Sequence, residues 1–356
     1  MQRVLVCLVL ALILCGGQAM AGDISIPPEL SRTAPEAARL AQEASDSVGL
    51  LEGTLELIQE GLCDARKYIL AGARSAAIMM AGIVLLGMVE SFDEKGTLSR
   101  YTTITGTLWI TAVFAGEAGA MIGLGEDTIL RVSEFSKLLL PALAASTAAM
   151  GGATAASIRQ VGTVFFTDIL LTLIERLLMP MLYLYIGTAA AAAVMEGGAL
   201  ESIGTLIKKV ITWSLSVLLI LFTTYLTVSG AVAGAADAQA VRLAKSAVSA
   251  AVPVVGGILA EAAESVLAGA GLLRSMIGAF GAVSVLTMCL VPFLRLGIQY
   301  IMYQAAGFVA QAAGPRHLTK LLTSLGDAFA LVLAMTGASA LLLIISLVST
   351  LTVVTA

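Results

Sequence analysis

Among the charged side chains within otherwise apolar stretches of this sequence, the candidates for function are Glu117, Asp168, Glu175, Arg176, Arg295 and, near the start of the last stretch, Asp327. A charge at the centre of a bilayer costs about 2.5 to 3.5 kcal/mol on insertion scales, so such groups face a bundle interior or water, and pair or carry ions. Asp168 stands seven residues before Glu175 and eight before Arg176, which puts all three on one helix face. Two readings follow. Asp168 and Arg176 form a structural ion pair that neutralises the stretch, or Asp168 and Glu175 relay protons or ions. Glu117 has no basic neighbour in its own stretch and is the better single candidate for a hydrated pore or coupling site.

Other chemistry is poorly supported. The single histidine, His317, adjoins Arg316 and has no Cys, Asp or Glu at ligand spacing, so neither a metal site nor a histidine-based triad is readable. No GxxxxGK[ST] phosphate loop occurs, and the glycine pairs lack the strand-turn-helix context of a dinucleotide site. The expectation is a protein that is not an enzyme and holds no cofactor, driven by a partner or an ion gradient.

The elements that position these charges are membrane helices. With 58% hydrophobic and 12% charged residues and a mean hydropathy of +0.96, the 356 residues read as an all-α polytopic membrane protein whose first partner is the lipid bilayer. The net charge of −4 and the lack of a Lys/Arg run exclude a nucleic-acid partner. Apolar blocks fall at 71–89, 101–124, 136–158, 161–195, 210–234, 266–313 and 328–354. A span needs about 20 residues, so the blocks from 161 and 266, each with an internal proline, are too long for one helix. Seven to nine spans are expected.

Residues 1–21 read as a secretory signal, with Arg3, an apolar core from Val4 to Leu14 and small residues Ala19 and Ala21 around the cleavage site. Residues 22–70 form an acidic segment, and its low Lys/Arg content fits the extracytoplasmic side. Within it Val48, Leu51, Leu55, Ile58 and Leu62 mark one face of an amphipathic helix. That face rests on the rest of the protein or docks a partner. Cys63 and Cys289 read as unpaired thiols serving as small apolar residues.

First membrane helices are expected over 71–135, followed by a duplication. Pro180 maps onto Pro292, Pro141 onto Pro253 and Lys208 onto Lys320, each 112 residues on, so the halves fall near 136–235 and 236–356. Helix breaks are expected at Pro141 with Gly151 and Gly152, and at Pro253 with Gly256 and Gly257, because proline removes a donor and glycine permits a turn. Matching broken helices in two halves are a transporter's pointer to its binding site. Whether the halves are parallel or inverted depends on their span number. Lys208 and Lys209 favour the cytoplasm, which, from an external Gly22, requires the block 161–195 to cross twice. Gly119 with Gly123, and Gly230 with Gly234, are GxxxG pairs that suit close helix packing and a homo-oligomer.

The stretch Ala235, Ala236, Asp237, then Arg242, Lys245, then Pro253-Val254-Val255-Gly256-Gly257 resembles the stage III sporulation protein AE family, and the similarity extends from about Leu70 to the end. The resemblance implies a multi-pass protein of the mother-cell membrane around the forespore. It implies work beside other proteins of its operon, a cytoplasmic ATPase, ring-forming proteins and small membrane proteins, in a secretion-like channel needed for late forespore gene expression. It brings no catalytic residues. The alternative is an autonomous permease of a small solute. Replacing Gly256 and Gly257 together by leucine is expected to abolish function while membrane levels stay normal, as read by spore counts and immunoblot. Wild-type counts would remove the organising role of this stretch.

Overall fold

The computed structural model describes residues 47–92, 99–149, 155–195, 198–251, 256–312 and 315–352, with side chains over 66–92, 101–116, 118–146, 162–195, 198–228, 276–312 and 315–347. The expected signal at 1–21, the break residues Gly151, Gly152 and Pro253, and the side chains of Glu117, Gly256 and Gly257 lie outside these. The chain is all-helical: α1 (Ser47–Ser91), α2 (Ser99–Ala149), α3 (Ala155–Leu173), a π-helical turn (Ile174–Leu178), α4 (Met179–Val194), α5 (Gly198–Ala251), α6 (Gly256–Ala310) and α7 (Arg316–Thr352). Helices satisfy every backbone group within one segment, which hydrocarbon demands. Hydroxyls follow suit, with Thr128, Ser284 and Thr336 donating to the carbonyls of Leu124, Phe280 and Val332 four residues back.

Among the described residues five helices are long and apolar enough to cross a membrane, at Arg66–Ser91, Gly162–Val194, Gly198–Val228, Met276–Ala310 and Arg316–Leu347. A sixth is the bent pair Tyr101–Gly116 and Ala118–Ser146 of α2. This is fewer than the expected seven to nine, for two physical reasons. The blocks 101–124 and 136–158 are joined through a helical 125–135, and the long blocks from 161 and 266 are not divided by their prolines. Pro180 has no N–H for the Arg176 carbonyl, and the preceding turn widens to π geometry, with the Met179 N–H bonded to the Ile174 carbonyl. Pro292 lies inside α6.

Pro141 likewise lies inside α2, and so does not end the helix as expected. The 41° bend of α2 falls instead between Gly116 and Ala118, in a run holding Gly116, Gly119, Gly123 and Gly125. Glycine offers little resistance to such a bend. The acidic segment's helix and the first span are one helix, α1, uninterrupted at position 70.

The centre of the bundle is α7. Of its most apolar 18-residue window 78% is buried, against 28 to 50% for the other four single-helix spans. Phe114 of α2, Tyr303 of α6 and Phe329 of α7 meet with ring centroids 5.1 to 5.9 Å apart. A second cluster joins Val132, Phe135 and Leu139 of α2 to Phe280 and Cys289 of α6 and Leu343 and Leu347 of α7. Helix directions follow from paired contacts. Tyr68 meets Arg295 and Gly72 adjoins Gln299, both 227 residues apart, so α1 and α6 run parallel. Alternation requires this if α1, α2, α3 with α4, α5 and α6 each cross once.

The GxxxG pair Gly119 and Gly123 does not pack within the chain, since an added Cβ at either meets nothing within 4 Å. The close approach is at Gly125, where a Cβ would collide with the Val332 side chain of α7. Gly125→Leu is therefore expected to destabilise the bundle by about 1 to 3 kcal/mol, whereas Gly119→Ala leaves thermal unfolding in detergent within about 0.5 kcal/mol of wild type. Equal melting of the two variants would refute the α2–α7 approach.

Candidate functional site

The polar side chains gather where the first turns of α5 and α7 lie side by side. Lys208 Nζ of α5 stands 2.6 Å from Asp327 Oδ2 of α7, and Lys320 Nζ of α7 stands 3.0 Å from Glu201 Oε1 of α5. Both pairs are 119 residues apart, so the two helices run parallel. Glu201 and Lys208 are seven residues apart on α5, and so are Lys320 and Asp327 on α7. Seven residues are about two turns, which places each couple on one face. Acid then base on α5 meets base then acid on α7, so one register satisfies both pairs.

Asp327 is shared further. Its Oδ1 accepts a bond of 3.0 Å from Gln304 Nε2 of α6, so this carboxylate ties α5, α6 and α7 together. Tyr185, buried on α4, bonds Ser324 three residues before Asp327. At the same end His317 has a buried Nε2 without a hydrogen-bond partner among the described residues, and Glu90 of α1 lies near enough to act on it electrostatically. The arrangement can hold a register and neutralise buried charge. Among the described residues it offers no group of three metal-ligating side chains.

The expected Asp168–Arg176 pair is not what the structure builds. Asp168 instead stands 3.3 Å from Lys137 Nζ of α2, a partner that sharing a face within one helix does not reveal. Glu175 and Arg176 lie in the π-helical turn, Arg176 exposed, and neither joins Asp168. Glu126 of α2 accepts from Tyr183 of α4 at 3.4 Å. Arg295 donates to the Tyr68 hydroxyl at 2.9 Å with its guanidinium 4.3 Å from that ring's centre.

The family described as stage III sporulation protein AE matches residues 71–354. The chain belongs to this family. It is also similar to the stage III sporulation protein AE of Bacillus subtilis strain 168, at 23% identity over 233 residues, 65% of this chain and 58% of that protein. The chain thus matches less than two thirds of that relative's length. No solved structure matches. The family's description names a sporulation stage and no reaction.

The matched range contains the whole cluster of Glu201, Lys208, Gln304, Lys320 and Asp327. Sequence reasoning used Lys208 as a marker of the repeat and, with Lys209, of the cytoplasmic side, and Asp327 only as a charge at a span's edge. The readable signal was the mirrored spacing, acid to base over seven residues and base to acid over seven. Removing one partner leaves the other charge without compensation, and with Lys208 42% and Asp327 25% exposed the cost is reduced by solvent. Asp327→Asn is expected to lower stability in detergent by about 1 to 2 kcal/mol. With Lys208→Met as the other single variant, the double variant Lys208→Met with Asp327→Asn should lose less than the sum of the two single losses. Additive losses in this double-mutant cycle would show that the two do not interact.

Proposed function

We propose that this chain is the integral membrane component of a secretion-like channel that links mother cell and forespore and is needed for late forespore gene expression. Family membership supports the sporulation role. The observation that carries the channel reading is the length of the helices. The 51, 54 and 55 residues of α2, α5 and α6 rise about 77 to 83 Å at 1.5 Å per residue, against a hydrocarbon core of about 30 Å. Helices of that length extend well outside a bilayer. There they are placed to meet the ring-forming proteins of the same operon, while a separate cytoplasmic ATPase supplies energy.

In this reading residues 1–21 are removed, the acidic segment lies outside the cytoplasm, and the core is a parallel duplication. The parallel course of α5 and α7 supports the last point, since α5 and α7 contain the matching lysines Lys208 and Lys320. Single crossings by α1, α2 and α3 with α4 from an external start agree with a cytoplasmic Lys208 and Lys209, which supports this orientation. The fusion of two apolar blocks into α2 removes the need for the block 161–195 to cross twice. Glu117, Asp168, Glu175 and Arg176 remain the candidate polar residues of the pathway.

An in-frame deletion in the native host, scored for vegetative growth and for a forespore-specific reporter after engulfment, tests the proposal. Loss of the late reporter with normal growth is expected, and Glu117→Gln should impair the reporter while the protein still assembles. Normal spores with an uptake defect would overturn the channel reading in favour of an autonomous permease.

A further inference from the structure

Arg295 is a charge that the α5–α7 cluster does not use. It lies in the apolar span Met276–Ala310 of α6, half-buried, with Nε enclosed and without a hydrogen-bond partner among the described residues. Its guanidinium meets the Tyr68 hydroxyl and the face of the Tyr68 ring on α1. A phenol is a neutral partner. It orients the guanidinium and offers a cation–π platform, and among the described residues no carboxylate pairs with the charge.

We propose that Arg295 and Tyr68 form a binding site for the phosphate of an anionic phospholipid, between the parallel helices α1 and α6. Basic pockets between membrane helices bind acidic head groups in this way. The surroundings favour lipid over a protein partner. Ile69 and Leu70, next to Tyr68, are 43% and 61% exposed, and Ile301 on α6 is 53% exposed, an apolar rim that acyl chains would cover. A planar guanidinium presents paired donors to phosphate oxygens, which a lysine at this position would not.

The full chain, purified from nanodiscs of equal phosphatidylglycerol and phosphatidylcholine into detergent, should retain phosphatidylglycerol in preference when bound lipids are counted by native mass spectrometry. Arg295→Gln is expected to reduce that retention about fivefold. Tyr68→Phe, which keeps the ring and loses the hydroxyl, should reduce it less. If Arg295→Gln is not recovered from membranes, Tyr68→Ala reads the same site from α1 and should also release the lipid. Equal retention of the two lipids by wild type, or unchanged retention in the Arg295 and Tyr68→Ala variants, overturns the proposal. Unchanged lipid together with loss of a co-purifying sporulation protein would also overturn it and assign Arg295 to a partner's carboxylate.

Discussion

Because most of α7 is enclosed by α6, α2, α4 and α5, its buried polar groups must be satisfied largely inside the protein, and the neighbouring helices meet the part-buried charge of Asp327. Along its middle the solution is local. Thr336 and Ser339 turn their hydroxyls back onto the carbonyls of Val332 and Thr336, so they ask nothing of other helices. At its beginning the charges of Lys320 and Asp327 have no such recourse. Asp327, part-buried, is met by Lys208 of α5 and Gln304 of α6, which sets the relative height of the three helices, while the exposed Lys320–Glu201 pair adds a weaker contact in the same register. Packing then follows, with Phe114 and Tyr303 closing on Phe329 and the bare backbone of Gly125 admitting Val332.

The two lysines that mark the repeat occupy this contact without being equivalent in it. Offset by 112 in sequence, Lys208 and Lys320 would face matched acids if the halves were related by a clean two-fold axis. Instead the facing residues are 119 apart, and α7 is displaced along α5 by a further seven residues, about two turns. Lys208 reaches an acid seven residues beyond its own counterpart, and Lys320 reaches one seven residues before its counterpart. The proposed duplication is thus compatible with an asymmetric pair. The acids Glu201 and Asp327, at positions that do not match under the repeat, set the register.

Helical class and the apolar course of the chain were legible from composition and block length. The number of crossings was not, because proline and block length are local signals while continuity depends on what the neighbours allow. Pro180 is absorbed by a π-helical turn, Pro141 lies within α2, and a glycine-rich run that looked like a packing surface marks a bend. Charge pairing failed for a related reason. Asp168 was read against Arg176 on its own helix, yet its partner Lys137 is 31 residues away on α2. Within one helix the period of 3.6 tells which residues share a face, and says nothing of what that face meets.

Fixing α5 at its first turns has a mechanical consequence for its far end. From Lys208 to Ala251 the helix runs 43 residues, a rise of about 65 Å. A rotation of roughly 5° about the clamped end moves such an arm by about 6 Å, more than one helical turn of rise. The ion pairs hold against that rotation only while both are made, since one pair fixes a point and two pairs, two turns apart, fix a direction. The determinants of that direction lie at the opposite end of the helix, in Glu201, Lys208, Lys320 and Asp327.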